Sequence, residues 1–171
     1  ENKPGASGTL AAAQVARATA DGSTLLLDAS SFAVNPSLFD KLPYDSATAF
    51  TPLAVLARFP NVLVCTASFE AKTLADVLRL AREKPGKLAY ASSGNGSAQH
   101  LAGALFEAMA KVQMTHVPYR GGGPALNDVI GGQVPLFFAN VASSLGHIQS
   151  GRLRALAVTS ALRSRLLPDS P

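Results

Sequence analysis

Residues 90–100 have the sequence YASSGNGSAQH, and this stretch decides the predicted fold. A short apolar run over 88–91 is typical of a strand, and it passes through a loop of serine and glycine into a helical pattern over 97–111. Strand and helix patterns alternate along the chain, which predicts an α/β fold with a largely parallel sheet. Ligands of such sheets bind beyond the carboxyl ends of the strands, so the loop after residue 91 is the first place to look for a site.

The remaining elements are predicted from apolar runs, helical spacing and turn residues. Thr73, with Asp76 three residues later, is typical of the start of a capped helix. Residues 28–31 are predicted as a loop, followed by a proline-marked stretch. The predicted helices cover residues 9–20, 73–84, 97–111, 124–130 and 143–150. The predicted strands cover residues 24–27, 53–66 (one strand, or a pair interrupted at Pro60), 88–91, 116–119, 134–138 and 153–159.

Composition favours a globular protein. The chain has 171 residues, of which 47% are hydrophobic and only 15% charged, so it can bury a core and is not a disordered chain. No apolar run approaches the roughly 20 residues that cross a bilayer. The formal net charge of +4 is mild, the basic residues are scattered, and there is no Trp. These features disfavour nucleic-acid binding.

The single cysteine, Cys65, lies in an apolar run and has no second thiol with which to form a disulfide or a metal motif. We expect it to be buried and inert. Cysteine usage leaves the cellular compartment undecided. No leader peptide is visible at Glu1, which fits either a cytoplasmic protein or a processed one.

The loop 92–97 carries the strongest chemical signal. Its glycines let the backbone approach a ligand, and the first N–H groups of the following helix have no partner inside the helix. Such a helix terminus carries about half a positive charge and suits a carboxylate, phosphate or sulfate. Ser92, Ser93 and Ser97 could add hydroxyl donors. The alternative is structural: Ser97 only caps the helix, and the glycines only turn the chain.

Other chemistries have weaker support. The loop has neither the spacing of a Walker motif nor that of the dinucleotide fingerprint. The histidines lack metal-ligand spacing, and no serine elbow or carboxylate pair indicates hydrolysis. A second glycine loop, 121–123, follows Arg120, which could reach an anion. An enzyme would need a base beside the loop 92–97, and His100 is the only nearby candidate. We therefore predict a binding protein with no catalytic residue, no metal and no cofactor.

Five stretches, in this order and spacing, resemble a known family. The chain is similar to the substrate-binding receptors of tripartite tricarboxylate transporters, also called the Bordetella uptake gene receptors. The resemblance runs along essentially the whole sequence and is carried by residues 1–8, 20–26, 90–101, 116–126 and 151–160.

The resemblance implies a type II periplasmic-binding fold, in which two α/β lobes close over a carboxylate solute. Residues 1–65 would form part of the first lobe, residues 66–158 a nearly complete second lobe, and residues 159–171 a return segment to the first lobe. Hinge strands would lie near Val64 and Val158. The family's first strand would lie upstream of Glu1 and the last part of its first lobe after Pro171, so we expect an internal fragment of a receptor of roughly 300 residues.

The resemblance also implies how the ligand is held: by loop N–H groups, by serine or threonine hydroxyls, and by ordered water. The predicted ligand-binding residues are Ser30 and Ser31 in the first lobe and, in the second, Ser92, Ser93, Gly94, Asn95, Gly96, Ser97, His100 and Asn140.

The implied protein is a monomeric periplasmic receptor that delivers its solute to a two-subunit membrane permease. The alternative is a cytoplasmic ligand-sensing domain of the same general fold, such as the effector half of a regulator, because fold alone does not decide function. One position bears on specificity. Family members often carry an Asp where this chain has Ala139, and an acid in the cleft would suit a ligand amino group. We therefore expect a simple carboxylate to be preferred over an amino acid.

Overall fold

The computed structural model describes residues 1–168 and 170. Its strands are β1 (Asn61–Thr66), β2 (Ala89–Ser92), β3 (Thr115–Pro118), β4 (Leu136–Asn140) and β5 (Leu153–Val158). Its helices are α1 (Thr9–Ala16), α2 (Ser31–Leu38), α3 (Leu74–Glu83), α4 (Ala98–Ala110), α5 (Gly122–Ile130) and α6 (Val141–Gln149), and a 3₁₀ turn, Ala6–Gly8, precedes α1.

The five strands form one sheet in the order β3-β2-β4-β1-β5. β2 is parallel to β3 and to β4, whereas β1 is antiparallel to β4 and to β5. The predicted α/β fold is therefore confirmed, but the expectation of a largely parallel sheet needs correction, since the sheet is mixed. Alternation of strands and helices along the sequence does not reveal that β1 crosses the sheet in the opposite direction and pairs with β4 and β5.

Helices cover both faces of the sheet, and each face has its own apolar core. On one face, α3 and α4 pack over residues such as Leu63, Tyr90 and Phe138. On the other face, α5 and α6 pack over residues such as Val64 and Phe137. This alternation along each strand is the period-2 pattern of a sheet buried on both sides. The result is a three-layer α/β/α unit spanning residues 61–158.

The capped start of α3 is as predicted. Thr73 Oγ1 accepts a hydrogen bond from the Asp76 N–H at 3.2 Å, and the Asp76 carboxylate accepts one from the Thr73 N–H at 3.0 Å. Cys65 is buried as expected, and burial raises the pKa of its thiol. Among the described residues, no helix has the length and apolar character needed to span a membrane.

The strand prediction for residues 24–27 is wrong, and the prediction for residues 53–66 is right only after Pro60, where residues 61–66 form β1. Residues 24–27 and 53–60 form no strand, and Leu25 and Leu27 are 67% and 80% exposed. An apolar run becomes a strand only when a neighbouring strand pairs with it, and within the described residues neither run has such a neighbour. The prediction also missed α2, because Pro36 lies inside that helix and proline normally signals a helix end.

Candidate functional site

The candidate site lies at one edge of the sheet, where several strand ends meet. β2 ends at Ser92, which is paired in register with Pro118 at the end of β3. β4 ends at Asn140, opposite Asn61 at the start of the antiparallel β1. The loop 93–97 leaves this edge and leads directly into α4. The strand-end rule thus places the loop where the sequence predicts it.

Two glycines allow the loop to turn sharply. Gly94 has φ +135° and Gly96 has φ +74°, values that side chains rarely adopt. A Cβ atom on Gly96 would lie 2.6 Å from Leu38 Cδ2, so α2 packs closely on the loop. Glycine at position 96 therefore meets two needs: a left-handed backbone and close contact with a neighbouring helix.

The start of α4 is a capped helix terminus whose outermost N–H groups are free. Ser97 Oγ accepts a hydrogen bond from the His100 N–H at 3.2 Å, so the capping interpretation of Ser97 is correct. The N–H groups of Asn95, Ala98 and Gln99 make no hydrogen bond to any described residue. The first turn of this 13-residue helix contains no acidic residue, so its positive end is not neutralised locally.

Ser92 is completely buried beneath the loop. Its Oγ lies 3.1 Å from the Gly94 N–H nitrogen, 3.1 Å from the Gly94 carbonyl oxygen and 2.6 Å from His116 Nε2. Ser93 lies above it, and its hydroxyl donates to Gln99 Oε1 at 2.8 Å. The two neighbouring serines therefore have different surroundings. Ser92 is buried against the sheet, whereas Ser93 contacts α4.

A histidine pair supports the loop from below. The rings of His100 and His116 stack with centroids 4.0 Å apart and planes 12° apart, and Tyr90 stacks on His116 at 5.2 Å. His100 Nδ1 accepts a hydrogen bond from the Gly96 N–H at 3.1 Å. Burial, together with the neighbouring His100, lowers the pKa of His116 to about 4. His116 is therefore neutral at physiological pH.

The first segment of the chain also reaches the loop. Ser7 donates its hydroxyl to the Asn95 carbonyl, and Asn35 Nδ2 in turn donates to the Ser7 carbonyl at 3.0 Å. The side chains of Val34 and Leu38 lie beside Gly96. Sequence reasoning assigned no role to Ser7, Asn35 or His116, because nothing in their spacing links them to a loop that is distant along the chain.

The structure brings together some predicted site residues and not others. Residues 92–97 and His100 form one cluster. Asn140 lies at the same sheet edge, where its Oδ1 caps α6 by accepting from the Ala142 N–H at 2.9 Å. Ser30 precedes α2, and Ser31 is buried beside Asp28. Neither of these two serines hydrogen-bonds to the loop, and the first segment reaches it through Ser7 and α2 instead.

The family assignment follows from the whole sequence. The pattern of the family described as "Tripartite tricarboxylate transporter family receptor" matches residues 1–171. This chain belongs to that family. The resemblance noted from the five sequence stretches is thereby confirmed.

Curated relatives match the chain along its full length. A Pseudomonas protein named for the tcbD-tcbE intergenic region is 39% identical over 171 residues, which is 100% of this chain and 51% of the relative. Protein BugT of Bordetella pertussis is 36% identical over 173 aligned residues, covering 100% of this chain and 53% of BugT. The chain thus spans about half the length of these relatives.

Solved structures of family members share the fold. The R. palustris protein Rpa4515, solved with adipate, has a TM-score of 0.95 and 40% identity, with 100% of this chain and 57% of that chain covered. The periplasmic binding protein BugD has a TM-score of 0.93 and 34% identity, covering 100% and 57%. MatC from Rhodopseudomonas palustris, with bound malate, has a TM-score of 0.86 and 31% identity, covering 98% and 57%. The predicted periplasmic-binding fold is therefore confirmed.

Two surface hollows of this family member lie away from the loop 92–97. One of about 830 Å³ is bounded by residues 1–4, α1 and residues 24–28. Another, of about 330 Å³, is lined by residues between Pro36 and Ala47. Neither is lined by residues 92–99. Within the described part of the chain, no three His, Cys, Asp or Glu side chains are placed to hold a metal ion.

Proposed function

We propose that this chain is the ligand-binding region of a periplasmic receptor that captures a small carboxylate-bearing solute and delivers it to a two-subunit membrane permease. The observation that carries the proposal is that the N–H groups of Asn95 in the loop and of Ala98 and Gln99 in the first turn of α4 make no hydrogen bond to any described residue. Two solved relatives are described with adipate and with malate, both dicarboxylates. A carboxylate is the group that such a helix terminus suits.

The local electrostatics support an anionic ligand. A helix terminus contributes about half a positive charge, and α4 has no acidic residue in its first turn. The loop 93–97 itself carries no charged side chain, so recognition would come from backbone N–H groups and hydroxyls rather than from an ion pair. This arrangement lets a solute be held firmly and still be released when the lobes open.

The second lobe, in this proposal, corresponds to the sheet unit. The strands that enter and leave it, β1 and β5, are antiparallel neighbours, and the Thr159 N–H donates to the Asn61 carbonyl at 2.9 Å where they meet. The crossing between lobes would then lie at Asn61 and Thr159. A boundary between residues 65 and 66 would instead separate Thr66 from the rest of β1. Residues 1–60 would belong to the first lobe, which reaches the ligand loop through Ser7 and α2.

Membership in a receptor family favours transport over the alternative of an effector domain in a regulator. BugD, a relative with a solved structure, is described as a periplasmic binding protein, and we propose the same location for this chain. Delivery to a permease is supported by the family's description as a transporter receptor.

The test is a calorimetric titration of the full-length protein with adipate, malate and 1,6-hexanediol, which has the chain length of adipate without its carboxylates. Binding of at least one of the two dicarboxylates and no binding of the diol is the expected result. A protein that binds the diol as well as the dicarboxylates, or binds neither acid, would contradict the proposal.

A single substitution tests the role of the helix terminus. Ala98 is the first residue of α4, a position where proline fits, and Ser97 before it already has the extended conformation that proline requires (φ −66°, ψ 157°). Ala98→Pro therefore removes one N–H group and should leave the helix intact. We expect dicarboxylate affinity to fall about tenfold, since a hydrogen bond to a charged group is lost. Ala98→Gly, which keeps the N–H, is the matched control, and equal affinities for the two variants would exclude this donor.

The same titration tests specificity. The loop 93–97 and the first turn of α4 carry no acidic side chain that could pair with a ligand amino group, whereas Ala139 is fully buried beneath α5 and α6 and does not line this loop. We propose that succinate and glutarate bind more tightly than aspartate and glutamate, which have the same carbon chains plus an amino group. Tighter binding of the amino acids would refute this preference.

A further inference from the structure

The side chains beneath the loop 92–97 form one connected set of contacts. Ser92 contacts both Gly94 and His116, His116 stacks on His100, and His100 contacts Gly96. The two glycines that shape the loop are therefore each tied to a different member of the same cluster. Every link is a hydrogen bond or a ring stack, and each lies on the α4 side of the sheet.

The hydroxyl of Ser92 has no capacity left for a ligand. A serine hydroxyl donates one hydrogen bond and accepts two. At Ser92 the three are accounted for when the Gly94 N–H and His116 Nε2–H donate to Oγ and the hydroxyl donates to the Gly94 carbonyl. This assignment places the proton of His116 on Nε2. Because Ser92 is also 0% exposed, its hydroxyl cannot reach a solute in this arrangement.

The Nδ1 atom and the backbone N–H of His100 are also occupied by hydrogen bonds within the loop. Its Nδ1 accepts from the Gly96 N–H, so Nδ1 carries no proton, and its backbone N–H is held by Ser97 Oγ. Its ring lies flat against His116, which fixes the plane of the imidazole. The Gly96 N–H is thus turned inward to His100, whereas the N–H groups of Asn95, Ala98 and Gln99 make no bond to any described residue.

We propose that Ser92, His116 and His100 are positioning residues, which hold Gly94 and Gly96 so that the remaining N–H groups of the loop converge on a carboxylate. The proposal rests on the proposed function for the identity of the ligand. It assigns Ser92 a role beneath the loop rather than against the solute, and it adds His116, which sequence reasoning left out. Neither histidine takes part in a chemical step.

The proposal is tested by backbone amide exchange, followed by NMR on the full-length protein without any carboxylate, in wild type and in Ser92→Ala. We expect the Gly94 amide to exchange about tenfold faster in the variant, because its acceptor is gone. His116→Ala should have the same effect. His116→Gln should restore slow exchange, because the glutamine amide can donate to Ser92 Oγ from nearly the same point as Nε2. His147→Ala, which removes a half-buried histidine from α6, is the matched control and should leave the Gly94 amide unchanged.

Adipate titration of the same variants completes the test. Ser92→Ala and His116→Ala should each weaken adipate binding about tenfold, and the double variant should be no weaker than the weaker single variant, because both act through one hydrogen bond. Weaker adipate binding with unchanged exchange at Gly94 and Gly96 would show that Ser92 touches the ligand, and it would overturn the proposal. If the losses of adipate affinity in the two single variants add up in the double variant, the proposal is overturned as well. If exchange changes as expected but wild type binds no dicarboxylate, the positioning role holds and the proposed function fails.

Discussion

The two parts of this chain, residues 61–158 and residues 1–60, differ sharply in how they use apolar residues. In the first, every strand is paired and two apolar clusters are buried under helices. In the second, helices and loops predominate, and the main side-chain cluster is an aromatic trio of Phe32, Tyr44 and Phe50. Seven of its large apolar side chains are more than half exposed: Leu10, Leu25, Leu27, Leu53, Val55, Leu56 and Phe59.

The difference shows that an apolar run alone does not make a strand. Residues 62–65 and 53–56 are both apolar runs, yet only the first has hydrogen-bonded neighbours on both sides. Strand formation depends on a partner for the backbone as much as on the side chains. The candidate site is divided in the same way, since residues 61–158 supply the loop 92–97, and Ser7, Val34 and Leu38 of the first 60 residues contact it.

The largest expected effect on stability comes from replacing a leucine by alanine, once in each region of the 171-residue chain. Leu63 is 2% exposed and Leu56 is 76% exposed. Leu63→Ala should lower the free energy of unfolding by about 2–5 kcal/mol, because it leaves a cavity in the core. Leu56→Ala should change it by less than about 0.5 kcal/mol. Urea denaturation measures both free energies of unfolding. Similar losses of stability at the two positions would contradict the difference in burial between the two regions.

The next largest effect on stability is expected from alanine substitutions at two helix glycines. A Cβ on Gly103 in α4 would lie 2.1 Å from Tyr90 Cε2, whereas one on Gly146 in α6 would meet nothing within 4 Å. Gly103→Ala should destabilise the fold by about 2 kcal/mol, since about 3 kcal/mol of overpacking exceeds the gain of about 1 kcal/mol in helix propensity. Gly146→Ala should stabilise it by up to about 1 kcal/mol.

The readout for the glycine pair is again the free energy of unfolding, supplemented by adipate affinity. Because Tyr90 stacks on His116, displacement of its ring in Gly103→Ala should also weaken adipate binding. Stabilisation by both alanines would mean that Tyr90 does not pack against Gly103 as the structure shows.

Much of the sheet region was predictable from the sequence, because its elements carry local signals. The Thr73 cap, the glycine loop after β2 and the helical spacing of α4 all depend on residues close together in the chain. The direction of β1 was not predictable, because it depends on which strands β1 joins. The same holds for the candidate site: nearby residues predicted the loop between β2 and α4, whereas Ser7 contacts Asn95 and His116 contacts Ser92 across 88 and 24 residues of sequence.

A smaller effect is expected where the two regions meet, at Gly96. Gly96→Ala places a side chain at φ +74° and against Leu38, and Gly86→Ala places one at φ +71° in open space. Each should lose about 1 kcal/mol of stability to backbone strain. Only Gly96→Ala should also weaken adipate binding, because it displaces α2 or the loop. Calorimetry compares the two variants, and equal adipate affinities would show that the packing of α2 does not shape the site.

A further effect is a pH dependence of stability that arises from His116. Because its pKa falls from 6.5 in the unfolded chain to about 4 in the fold, the unfolded chain binds more protons between these values. The free energy of unfolding should therefore decrease as the pH is lowered from about 6.5 to about 4. The groups that face His116 are His100, the Ser92 hydroxyl and Tyr90, whose pKa is raised to about 12 by burial and by Glu107, so Tyr90 stays neutral.

Denaturation at several pH values measures this dependence. His116→Gln should flatten the curve between pH 6.5 and pH 4. A curve that His116→Gln does not change would assign the dependence to another group.

The most direct test of carboxylate binding at the start of α4 is a titration of the ¹⁵N-labelled full-length protein with adipate, followed through its backbone amide signals. We expect the amides of Asn95, Ala98 and Gln99 to shift most and 1,6-hexanediol to leave them in place. Shifts confined to the hollow between α1 and residues 24–28, or no shift of these three amides at saturation, would contradict this expectation.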